Sequence, residues 1–279
     1  MGKQFLCRCG IAKGIEDIYD MFAVIYGVII FIATFLGAFV GLGGGVIIKP
    51  MLDLIGHDAI DVVNFISSCA VFSMSISSTV RHIIAKTKIK FNLIVCVSIG
   101  AIIGGILGSR LFDALLNRFD KELLKGIQGI ILGVLLVLSV IYINLKGKKS
   151  FNVKNPLGII AVGFSLGTIS SFLGVGGGPI NVAFLVLFFS MTMKEAAVYS
   201  VGTILFSQYS KITTMAINGT IPSFSPITLI AAIACAVVGG ILGAKANKKS
   251  NEKTVKTIFT VVVAGIAVVN FYNGITGIM

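Results

Sequence analysis

The chain has 279 residues, of which 56% are hydrophobic and only 12% charged, with a mean hydropathy of +1.01. An ordinary soluble domain is roughly 25% charged, so an aqueous fold is excluded and a membrane protein is expected. Lys and Arg total 23 against 11 for Asp and Glu. The basic residues gather in short loops, as cytoplasmic loops do under the positive-inside rule, and this argues against a nucleic-acid-binding surface.

A polar segment, 1–20, opens the chain; its acidic residues and the lack of a small-residue cleavage site argue against a signal peptide. The first long apolar run, 21–40, meets "GLGGGVIIKP" at 41–50, and a short apolar segment, 46–56, follows. Runs at 62–84, 91–116 and 123–145 complete a first transmembrane repeat over 21–145. A basic linker, 146–155, holds Lys146, Lys148, Lys149 and Lys154. The second repeat, 156–279, has a run at 157–173, the break "GVGGGPINVA" at 174–183, a short segment at 179–190, and runs at 196–217, 226–246 and 255–276. The long runs suit a bilayer crossing of about 20 residues. At 1.5 Å per residue the short segments reach only about 16 to 18 Å.

The halves repeat one another. Gly41, Gly43, Gly44 and Gly45 answer Gly174, Gly176, Gly177 and Gly178 at an offset of 133, as Ser67 answers Ser200 and Phe91 answers Phe224. "IGGILGSR" at 103–110 answers "VGGILGAK" at 238–245 at an offset of 135. Charge sets the relative orientation: the loop with Lys86, Lys88 and Lys90 corresponds to the uncharged "NGTIPSFSP", and mixed-sign "NRFDKE" corresponds to the lysine-rich 245–256. Placing corresponding loops on opposite membrane faces gathers every basic cluster on one side. The expectation is an all-α polytopic membrane protein of two inverted-topology repeats, each a glycine-broken short helix or hairpin plus three long transmembrane helices. Six crossings plus two hairpins, or ten crossings, both satisfy inversion.

Irregular backbone at membrane depth is tolerated only where protein or a water-filled cavity covers it. One break per half therefore points to a shared central cavity. A helix beginning after each break offers free N–H groups at its positive dipole end, which suits an anion. Gly43, Gly44, Gly45, Gly176, Gly177 and Gly178 are the backbone candidates, and Pro179 fits the first helical turn. The mid-helix "GGILG" runs instead read as tight helix packing. Asn64, Ser67 and Ser68 share one helix face, as do Ser200, Thr203 and Ser207; with Gln208 and Asn181 they are the polar candidates for the anion shell. Lys49 and Asp53, four apart, form either an interface pair or an anion-attracting lysine beside a carboxylate that titrates during transport. Arg81 and Lys211 read as anchors at helix ends.

The paired "GLGGGVIIKP" and "FLGVGGGPINV", the Ser-bearing helices "NFISSCAVF" and "YSVGTILFS", and the "GGILGSRL" and "GGILGAKA" pair resemble the sulfite exporter TauE/SafE family of bacterial membrane transporters. The resemblance runs from about residue 21 onward. Lys49, where the family pattern is apolar, and Ala183, where a proline would answer Pro50, depart from it. It implies a secondary transporter of small anions such as sulfite, sulfonates or related organic anions, with H+ as a candidate coupling ion and the cell inner membrane as location. A channel using the broken segments as a filter is the alternative. No HExxH, GxSxG or GxxxxGK[ST] motif points to an enzyme or an ATP-driven pump. The five cysteines and two histidines lack metal-ligand spacing, so neither a metal nor a cofactor is expected. The expected partners are the anion and the lipid bilayer.

Overall fold

The computed structural model describes residues 24–55, 59–86, 91–116, 121–145, 150–173 and 178–276. The described residues form ten helices and no strand. In chain order these are α1 (Val24–Val40), α2 (Gly45–Ile55), α3 (Ile60–Ile84), α4 (Phe91–Leu116), α5 (Lys121–Asn144), α6 (Pro156–Phe172), α7 (Gly178–Phe189), α8 (Met193–Ile217), α9 (Pro226–Lys249) and α10 (Glu252–Thr276). Local chemistry starts several of them. Asn155 accepts from the Leu157 N–H ahead of α6, and Thr192 and Glu195 form a reciprocal capping box at α8. Pro156 and Pro226 stand in first turns, where a missing N–H costs nothing.

Five helices are long and apolar enough to cross a membrane, with α1, α6 and α7 as shorter apolar helices. Side chains such as Ile84, Leu157, Ile230 and Val268 stay exposed on the perimeter, which in water would be an aggregation hazard and in lipid is the expected surface. Lipid tails are as apolar as leucine, so close backbone packing and hydrogen bonds must select helix partners. The "GGILG" runs supply that packing. A Cβ at Gly100, Gly104 or Gly108 of α4 would strike the backbone of Ile160, Phe164 or Thr168 in α6. Gly163 and Gly167 of α6 lie as tightly on Val97 and Ala101. Likewise Gly239 and Gly243 of α9 press on Phe31 and Phe35 of α1. Both pairs run parallel.

Helices α5 and α10, and α3 and α8, run antiparallel. Gly129 of α5 faces Asn270 and Gly274 of α10, while Asn144 donates to Thr260 Oγ1 at 3.0 Å. Phe72 of α3 meets Tyr209 of α8 at 6.2 Å between ring centroids, and Phe65 meets Phe224 at 5.0 Å. Both contacts require antiparallel partners. The lysine-rich segments share one end of the bundle: Lys248 Nζ donates to the Ala85 carbonyl at 2.7 Å, and Lys194 Nζ to the Lys248 carbonyl at 3.2 Å.

Candidate functional site

The first break is a left-handed turn between α1 and α2. Gly41, Gly43 and Gly44 have φ of +83°, +78° and +68°, a region that costs an L side chain roughly 1 to 2 kcal/mol. The chain descends beside α8, with Gly41 against Ala197 and Gly43 against Ile204, and reaches Gly45 beside Ser67 and Val71 of α3. Helix α2 then runs back toward the end where α3 begins. Gly43 and Gly45 donate to Gly37 and Gly43 carbonyls, and Ile47 and Ile48 donate to the Gly44 carbonyl. Among the described residues, the Gly44 and Val46 N–H groups at the start of α2 have no acceptor. They are unpaired donors at a positive dipole end.

The start of α7 meets the first break. Gly178, the first residue of α7, lies so close to the Leu42 carbonyl that a Cβ there would collide with it. Ser200 Oγ of α8 donates to the Gly41 carbonyl at 2.6 Å, anchoring a carbonyl that no helix can use. Thr203 donates to the Ser200 carbonyl at 2.8 Å and accepts from Asn181 Nδ2 at 3.4 Å. Ser200, Thr203, Asn181 and Gln208 are buried, and Gln208 Oε1 has no partner among the described residues. On the α3 side Ser67 is buried 3.8 Å from the Cβ position of Gly45, whereas the Ser68 hydroxyl is spent on the Asn64 carbonyl at 2.7 Å. Asn64 and Ser207 are half-buried.

Gly43, Gly44, Gly45, Gly178, Asn181, Ser67, Ser200 and Thr203 thus come together around the first break, with Gln208 further along α8. Gly176, Gly177 and His57 lie outside the described residues, as does the Asp53 side chain. Lys49 on α2 is half-buried, and Lys211 lies within electrostatic range of it and of the Cys69 thiol. Lys211, expected as a helix-end anchor, is exposed and extends the stripe Ser200, Ile204, Ser207 by four residues, a spacing that signals a shared helix face in the sequence.

Two further residues had no such signal. Asn247 Nδ2 of α9 donates to the Phe39 carbonyl at 2.7 Å, and Gln128 Nε2 of α5 donates to the Phe172 carbonyl. Each satisfies an orphan carbonyl at the end of the helix preceding a break. In both cases the amide comes from the opposite half.

The described groups at the break are hydroxyls, amides and backbone donors, which suit an anion. The sulfite exporter TauE/SafE family profile matches residues 26–270. The chain is also similar to a probable membrane transporter protein, YunE, of Bacillus subtilis (strain 168), at 28% identity over 284 residues, covering 90% of this chain and 98% of the relative. A match that covers α2 to α9 whole and most of α1 and α10 makes the chain a multi-pass membrane protein belonging to the TauE/SafE sulfite exporter family.

Proposed function

We propose that the chain is a secondary transporter of small oxyanions, with sulfite and sulfonates as the leading candidates, and that two inverted repeats alternate access to a site at the glycine breaks. The observation that carries this reading is the contact of α7 and α8 with the first break: Gly178 on the Leu42 carbonyl and Ser200 on the Gly41 carbonyl. Groups from both halves converge there, so rocking one half against the other remakes the site's exits without dismantling its donors. Ser67, the remaining N–H of the Asn181 amide and the α2 N–H groups hold the oxyanion, Ser200 and Thr203 position the break and Asn181 through the hydrogen bonds they already make, and Lys49 with Lys211 supplies attraction on one side. Inversion is supported by the antiparallel α5–α10 and α3–α8 pairs, and by the single lysine-rich end, which the positive-inside rule assigns to the cytoplasm. Asp53 is the candidate coupling carboxylate, with H+ as its ion.

The test is flux. Purified protein in liposomes is expected to take up radiolabelled sulfite saturably, to accelerate under an imposed pH gradient, and to exchange label in counterflow. Conductance of many ions per opening would replace the transporter with the channel reading, and absence of both sulfite binding and sulfite flux would reject sulfite as substrate.

A further inference from the structure

Away from the breaks, the lysine-rich end of the bundle holds a pocket of about 350 Å³ between the C-terminal ends of α3 and α9. That is within the size range of small-ligand sites, roughly 300 to 1,000 Å³. Arg81, His82, Lys245, Lys248 and Lys249 line it together with alanines, and among the described residues no carboxylate does. The carboxylates described near this end are committed elsewhere. Glu195 serves the Thr192 cap, and Glu252 accepts from the Met193 and Lys194 N–H groups. Four cations therefore face one cavity unneutralised by its walls.

His82 is the second observation. Its side chain is 3% exposed, and its Nε2 has no hydrogen-bond partner among the described residues. A buried imidazole nitrogen without a partner is costly, and here it borders a basic cavity that a ligand oxygen can enter. Lys248 is tethered to the Ala85 carbonyl at 2.7 Å, which holds α9 against the end of α3 and fixes the pocket's shape.

From this geometry we infer that the α3–α9 pocket binds a phosphate group, carried by an anionic lipid headgroup or by a soluble phosphate. Multiple cations matched to one small cavity suit a compact, multiply charged oxyanion. The depth, at helix ends beside a basic loop, is where headgroup phosphates lie. The site is separate from the transport site, since it contains none of the break residues. Its occupant would clamp α3 to α9, and thereby one helix of each half.

Purified protein in nanodiscs tests it. One arm uses neutral phosphatidylcholine with added inorganic phosphate; the other replaces part of the lipid with phosphatidylglycerol. The thermal unfolding midpoint should rise by a few degrees in at least one arm, a rise with phosphatidylglycerol alone identifying the lipid and a rise with phosphate alone the soluble source. Lys245→Gln with Lys249→Gln should abolish the rise, whereas Lys253→Gln with Lys256→Gln, at the same end but outside the pocket, should keep it. No rise in either arm, or equal rises in both double variants, overturns the site. Native mass spectrometry on the unaltered protein gives a second reading: a single retained phosphate or anionic-lipid adduct supports the pocket, and uniform stripping of all adducts overturns it.

Discussion

Ser200 ties α8 to the Gly41 carbonyl of the first break. Replacing it with alanine leaves the buried Gly41 oxygen without its partner, which costs about 1 to 3 kcal/mol. Ser200→Ala should lower the unfolding midpoint and weaken anion binding together; a variant as stable and as tightly binding as the parent would remove Ser200 from the site. Lys211 makes a different prediction. Lys211→Gln leaves packing intact but removes a charge beside Lys49, so substrate KM should rise by roughly fivefold, a change of about 1 kcal/mol. The effect should shrink in high salt, because exposed charge is screened within about 10 Å at 0.1 M. Flux measured at two ionic strengths reads this directly, and a KM shift independent of salt would assign the loss to packing.

At the scale of helices, glycine serves two purposes that substitution separates. Gly104→Ala drives a methyl into the Phe164 backbone of α6, and overpacking of this kind costs about 1 to 3 kcal/mol. At Gly43 an added Cβ meets the end of the Ile204 side chain at 2.6 Å, which can rotate away, though the φ of +78° strains any L residue. Gly104→Ala should therefore lower the unfolding midpoint more than Gly43→Ala, while Gly43→Ala should lose more anion affinity per degree of stability lost. The reverse order would make the break a packing element. Hydropathy and breaker residues located these elements closely: the expected runs at 46–56, 91–116 and 179–190 correspond to α2, α4 and α7. Helix partners were less legible, because hydropathy does not distinguish one apolar face from another in lipid. Gln128 and Asn247 carry no signal in the sequence for that reason: an amide within an apolar helix names no acceptor until a neighbouring helix end arrives.

For the whole molecule, the shared lysine-rich end makes orientation testable. Single cysteines at Ser150 and Ser250, in a cysteine-free background, should both resist an impermeant thiol reagent added outside intact cells and both react after permeabilisation. Ser150 already neighbours Ser190 through a 2.7 Å hydroxyl bond, so disruption of that contact is controlled by checking flux of the unlabelled variant. External labelling of one site alone would contradict inversion.

The glycine zippers join α4 to α6 and α9 to α1, each crossing from one half to the other. Neither half is therefore a self-sufficient folding unit. During synthesis, the α4 glycine face has nothing to pack on until α6 has entered the bilayer, and the Phe39 carbonyl waits for Asn247 near the end of the chain. A nascent first half must persist with its seam turned to lipid, a natural client for the insertion machinery. Separately expressed halves should be degraded alone and accumulate only when made together.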